Sequence, residues 1–364
     1  MEISPKNVEP NVEPNLEPAL IEGTVMGAGG GFYEVDVPEE GARREPLLCA
    51  LGGRLKNPKK ERRKFSQPVS VGDRVRVRAL ETSGADARGR LLREGFIEEV
   101  LPRTSQLSRS RYNKTAQITV ANLDQVVIVM AARDPDINPH RLDRFLVLAE
   151  ANDLHAVLCF NKIDLMKPRE QKKELEPFVK LYENLGYQVI LTSAEKGKDA
   201  GTKELRAALK DHISAFIGSS GVGKSSLVMM VQPGLQLWIG EVMEIGKGRH
   251  TTTDVSLHPL PRGGYIADTP GVKTVTLLET EDVALDRCFP EFVPLLNDCK
   301  FNDCTHIIEP GCAIRAAVEA GAIAVSRYES YQRLWREQDA MAPNYEKDGR
   351  RRVGVILRGE VEDD

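Results

Sequence analysis

One stretch of the chain has residue types and spacing that point directly to phosphate chemistry: Gly218-Ser219-Ser220-Gly221-Val222-Gly223-Lys224-Ser225. A glycine, four residues and then Gly-Lys-Ser is the pattern of a phosphate loop. The glycines let backbone N–H groups close around a phosphate, and a helix that follows adds the positive end of its dipole. Lys224 would reach the β- and γ-phosphates, and Ser225 would hold Mg²⁺. The flanks agree. The apolar run Ile213 to Ile217 reads as a buried strand, and Ser226-Leu227-Val228-Met229-Met230 reads as a helix start. The expected nucleotide-binding set therefore runs from Gly218 to Ser226. Alone, it specifies a nucleoside triphosphate and no base.

Asn161-Lys162-Ile163-Asp164 addresses the base. It ends the apolar run His155 to Phe160, and ligands of open α/β sheets bind at the carboxyl ends of strands. An aspartate there accepts hydrogen bonds from N1–H and the 2-amino group of guanine. Adenine offers neither donor, and a buried carboxylate left without donors is costly, so Asp164 implies guanine. The Lys162 stem can lie over the base. Ser193-Ala194, after the strand Tyr187 to Leu191, can present a backbone N–H to the guanine O6.

Asp268-Thr269-Pro270-Gly271 supplies the remaining phosphate chemistry. Asp268 would hold Mg²⁺ through water, and the Gly271 N–H would meet the γ-phosphate. One residue of Thr251-Thr252-Thr253, assigned as Thr252, would complete the Mg²⁺ shell. Val272 stands where Ras-like enzymes carry the glutamine that orients the attacking water, and valine cannot do this. His250 is the nearest alternative in sequence. A neutral imidazole can hydrogen-bond a water and accept its proton, so His250 is the expected catalytic residue.

Cys299, Cys304, His306 and Cys312 form the pattern Cys-x₄-Cys-x-His-x₅-Cys. Three thiolates and an imidazole make a closed, structural zinc site with no position left for catalytic water. Cys49, Cys159 and Cys288 read as packed thiols.

These residues must be positioned by more than one kind of domain. Residues 113–277 alternate strand and helix, with helical patterns at His140 to Asn152 and Lys172 to Leu185; this predicts an α/β sheet covered on both faces. Residues 278–345 read as a helical zinc-binding domain, with a continuous helical pattern from Ile314 to Trp335. Residues 21–112 carry short strands at Gly23 to Val25, Phe32 to Val37, Pro46 to Leu51, Arg74 to Leu80 and Gly95 to Leu101. That pattern suggests a five-stranded barrel of the oligonucleotide-binding type. In the fourth strand Val75, Val77 and Ala79 alternate with Arg74, Arg76 and Arg78, placing valines inside and arginines outside. Arg54 to Lys64 is strongly basic. A charge run usually marks a solvated loop, but on such a barrel Arg54, Lys59, Lys60, Arg62 and Arg63 are expected RNA-backbone contacts. Residues 1–20 repeat Asn-Val-Glu-Pro and read as an extended acidic arm, and residues 346–364 read as a tail.

With 364 residues there is room for two or three domains. No apolar run approaches the ~20 residues that span a bilayer, and no signal pattern opens the chain. Six cysteines in a chain of this length do not form a disulfide framework, so a reducing, cytoplasmic setting is expected, with no membrane partner.

The motifs occur in an unusual order. Ordinary GTPases run phosphate loop, switch threonine, Asp-x-x-Gly, Asn-Lys-x-Asp and Ser-Ala. Here Asn161 to Asp164 and Ser193-Ala194 come first, which is a circular permutation. With the Cys₃His pattern, this order resembles the RsgA/YjeQ (EngC) family over about residues 21–340. The resemblance implies a barrel, a permuted GTPase and a zinc domain. It also implies GTP and GDP as ligands, one structural Zn²⁺, and Mg²⁺ with GTP. The implied partner of a monomeric protein is the 30S subunit with its 16S rRNA, whose late maturation it assists and which stimulates slow GTP hydrolysis. Two other readings differ in class: an RNA-binding switch with negligible turnover, and a GTPase serving a protein or membrane partner.

Overall fold

The computed structural model describes residues 19–37, 46–56, 68–80, 84–85, 91–109, 117–195, 200–233, 235, 255–268 and 283–341. Its amino-terminal unit is a closed five-stranded barrel. β1 (Ile21–Gly29), β2 (Phe32–Asp36), β3 (Leu47–Leu51) and β4 (Arg74–Ala79) join β6 (Leu91–Val100) in the order β3-β2-β1-β4-β6, and a parallel β3–β6 pairing closes the ring. β5 (Gly84–Ala85) only extends β6, and α1 (Gly53–Lys56) is a single turn after β3. Val25, Val35, Cys49, Val75, Val77 and Ile97 fill the interior. The alternation in β4 holds: its valines are inside and its arginines outside. Two of those arginines are paired locally. Arg76 pairs with Glu22 at 3.2 Å and Glu99 at 3.1 Å, and Arg78 pairs with Glu98 at 2.9 Å.

β7 (Gln106–Arg109) and β8 (Gln117–Ala121) form an antiparallel pair that the sequence pattern does not announce. They lead into a six-stranded sheet built from β9 (Gln125–Ala131), β10 (His155–Asn161), β11 (Gln188–Leu191), β12 (Ile213–Ile217), β13 (Ser256–Pro259) and β14 (Tyr265–Asp268). The order is β11-β10-β9-β12-β14-β13, and β13 alone runs antiparallel to its neighbour. Every residue of β9 is buried, as a strand covered on both faces requires. Val126, Ile128 and Met130 face a layer containing α2 (Pro139–Ala151). Val127, Val129 and Ala131 face the opposite layer. α2 starts cleanly: Pro139 occupies its first turn, and the Asn138 side chain accepts from the Arg141 N–H.

The pattern from Lys172 to Leu185 is not one α-helix. α3 (Pro168–Glu170) passes through a π turn at Gln171–Leu175 into α4 (Glu176–Asn184). The Gln171 side chain donates to the carbonyls of Ile163 and Met166, tying this turn to the loop after β10. α5 (Thr202–Leu209) and α6 (Lys224–Val231) lie on the opposite face, against the alternate side chains of β9. The pattern from Ile314 to Trp335 likewise divides into α7 (Ala313–Glu319) and α8 (Val325–Met341). Gly321 stands between them at φ +76°, a conformation that ends a helix and suits glycine. Among the described residues, no helix is long and apolar enough to cross a membrane.

Two sets of contacts fix the outer units to the sheet. On the barrel side, Tyr265 of β14 donates to Asp36 of β2 at 2.7 Å, while within the barrel unit the fully buried Asp73 takes a bidentate pair from Arg103 at 2.6 and 2.7 Å. On the carboxyl-terminal side, Arg327 of α8 is 1% exposed. It donates to Asp143 of α2 at 2.5 Å and to both oxygens of Glu291 at 2.7 and 3.1 Å, with its guanidinium 4.6 Å from the Phe289 ring centroid. Breaking a buried ion cluster by removing one member leaves charge uncompensated. Arg327→Met is therefore expected to destabilise the protein by about 3–5 kcal/mol. Urea unfolding followed through the carboxyl-terminal domain measures this, and an unchanged midpoint would contradict it.

Candidate nucleotide and metal sites

The phosphate-loop sequence lies where the sheet order places its centre. β12 is hydrogen-bonded between β9 and β14, and its carboxyl end opens directly into residues 218–223 and then α6. Val222 is buried and anchors the loop, whereas Gly221, Ser225 and Ser226 are exposed. The Lys224 ammonium donates to the carbonyls of Gly218 at 2.8 Å and Ser219 at 2.7 Å, which fixes its place over the loop.

The base-reading sequence meets the phosphate loop in space. The Asn161 side chain, 1% exposed at the end of β10, donates to the Val222 carbonyl at 2.9 Å. Gly223 has φ +92°, and a Cβ there would lie 2.3 Å from the Asn161 amide nitrogen, so this close approach requires glycine. Thr192 Oγ1 donates to Asn161 Oδ1 at 3.2 Å and thereby orients the amide. Ser193 Oγ donates to Asp164 at 2.5 Å, which brings the two base-reading segments together. Lys162 has φ +60°, and its ammonium donates to the Asp134 carbonyl. Asp268 ends β14 and is buried.

The structure thus brings together Asn161, Lys162, Asp164, Ser193, Ala194, residues 218–226 and, at the end of the neighbouring strand, Asp268. His250, Thr252 and Gly271 lie outside the described residues. So do Lys59, Lys60, Arg62, Arg63 and the side chain of Arg54.

The second cluster is in the carboxyl-terminal domain. One ligand atom from each of Cys299, Cys304, His306 and Cys312 lies within 4.8 Å of the others, so this set could hold a metal. The His306 Nδ1 faces the sulfurs of Cys299 at 3.6 Å and Cys312 at 3.5 Å, and its Nε2 faces Asp286 at 3.3 Å. A carboxylate behind a ligating imidazole fixes the ring and its tautomer. Burial pushes the Cys304 thiol up to about 12, so ionising it calls for a cation such as a divalent metal. Burial also raises Cys49, Cys159 and Cys288 to about 12, which suits inert packed thiols.

Four residues of these sites escape the motif patterns: Thr192, Arg141, Asp286 and Glu309. Arg141 of α2 donates to Ser219 Oγ at 3.1 Å. Glu309 organises the loop between Cys304 and Cys312 by accepting from Thr305 N and Oγ1 and from the N–H groups of Ile307 and Ile308. Burial raises its carboxyl, but these donors outweigh that and hold it at about 2. The only signal in the sequence is its place between two expected metal ligands.

A permuted sheet carrying a phosphate loop and a guanine-type base loop defines a GTP hydrolase. Residues 100–278 match the RsgA GTPase family. A small ribosomal subunit biogenesis GTPase RsgA from Gemmatimonas aurantiaca is 44% identical over 320 residues, covering 86% of this chain and 95% of the relative. The protein of that description from Caldanaerobacter subterraneus subsp. tengcongensis is 38% identical, covering 87% and 95%. Among solved structures, YjeQ from Thermotoga maritima has a TM-score of 0.67 at 34% identity, covering 89% of this chain and 100% of that one. YloQ, described as a circularly permuted GTPase, has a TM-score of 0.67 at 29% identity, covering 92% and 100%. The chain belongs to the RsgA GTPase family.

The depressed Glu309 carboxyl contributes stability that is present above its ordinary value of 4.5 and lost as pH falls toward about 2. At neutral pH, Glu309→Gln is expected to loosen residues 305–308 and speed metal transfer to a chelator by about tenfold. An unchanged transfer rate would show that Glu309 does not organise the loop between Cys304 and Cys312.

Proposed function

We propose that this GTP hydrolase acts in the cytoplasm in maturation of the small ribosomal subunit, binding the 30S particle through its 16S rRNA and turning over GTP faster when bound. One observation carries the reading: the similarity to relatives of that description spans 95% of their length, and so includes barrel, GTPase and metal domain. Asp164, held by Ser193, is the proposed guanine reader. Lys224 and the N–H groups of residues 218–226 take the phosphates, with Gly271 at the γ-phosphate. Ser225, Thr252 and Asp268 are the residues that would hold Mg²⁺, which would offset charge on the phosphates. His250 is the proposed group that positions water. Cys299, Cys304, His306 and Cys312 are proposed to hold one structural Zn²⁺. The basic segment containing Arg54, Lys59, Lys60, Arg62 and Arg63 is the proposed RNA-backbone contact.

The test is GTP hydrolysis titrated with purified 30S and 50S particles, using wild-type protein and His250→Ala. Stimulation by 30S alone is expected. The variant should keep GTP affinity and 30S binding while losing most of the stimulated rate. Equal stimulation by both particles would overturn the choice of partner, and full stimulated turnover by the variant would assign the water to another group.

A further inference from the structure

The first turn of α2 touches both the phosphate loop and the carboxyl-terminal helix. Arg141 donates to Ser219 Oγ at 3.1 Å, and the Ser219 carbonyl accepts from Lys224 at 2.7 Å. Ser219 is therefore held by a guanidinium on its side chain and by the loop lysine on its backbone. Within the first two turns of the same helix, Asp143 takes the buried Arg327 of α8, while His140 and Arg144 hold Glu337 of α8, the first at 3.4 Å. Asp143 and Arg144 are 0% and 4% exposed, so their charges depend on these partners.

We infer that Arg141 is a positioning residue for the phosphate loop, and that it makes α2 the element through which docking of α8 and nucleotide binding influence each other. The inference rests on the reading of residues 218–226 as a guanine-nucleotide site. Any displacement of α8 shifts the turn that carries Arg141, and Arg141 sets Ser219 and hence Lys224. Binding linkage is reciprocal, so a nucleotide that fixes Lys224 also steadies α8.

The experiment measures affinity for a fluorescent GDP analogue and hydrogen exchange of residues 325–341 with and without GDP, in full-length protein. In wild type, GDP is expected to slow exchange in α8. In Arg141→Met and in Ser219→Ala, affinity should fall by about threefold to tenfold, and the GDP-dependent slowing should disappear. Exchange in α8 without GDP should stay as in wild type, which a merely structural role would not allow. Glu337→Gln should weaken GDP binding in the wild-type background and add nothing to Arg141→Met. Ser219→Ala carries the test should Arg141→Met fail to fold. Full GDP-dependent slowing in both variants would overturn the inference while leaving the nucleotide site intact. Failure of wild type to bind GDP would overturn the nucleotide reading itself.

Discussion

The hydrogen bond from Asn161 to the Val222 carbonyl is the contact on which the site depends. Permutation places the base-reading segment before the phosphate loop, so chain order no longer joins them in the usual way. The sheet restores the arrangement by setting β10, β9 and β12 side by side. Asn161 then spans the remaining gap at 2.9 Å, and glycine at 223 leaves room for its amide. Thr192 fixes which way that amide points.

The outer units are attached by buried polar clusters as well as by apolar packing. Tyr265 with Asp36 ties the barrel to the sheet, and Arg327 with Asp143 and Glu291 ties on the carboxyl-terminal unit; the latter requires a defined geometry, because a buried charge without its partner is costly. Such contacts favour one relative placement of the units over many similar ones. Under the proposed function, that suits a protein whose nucleotide state has to be felt by distant surfaces.

Much of this was legible in the sequence. The all-apolar run of β9, the alternation in β4 and the motif spacings each report a local constraint, and local constraints survive in one dimension. The helix boundaries at Gln171–Leu175 and Gly321 were not legible. A π turn keeps a helical apolar pattern, and a single glycine inside such a pattern does not by itself signal a break. Arg141 escapes the sequence because its role comes from a tertiary neighbour, and Glu309 because, although its partners are local, an isolated glutamate in a loop carries no spacing rule.

The most direct test is the GDP affinity of Asn161→Ala measured by calorimetry beside wild type. Removing the amide leaves the buried Val222 carbonyl without its donor, which costs about 1–3 kcal/mol. Affinity is expected to fall by about tenfold or more while the thermal unfolding of the barrel is unchanged. GDP affinity equal to wild type would contradict the claim that this contact assembles the permuted site.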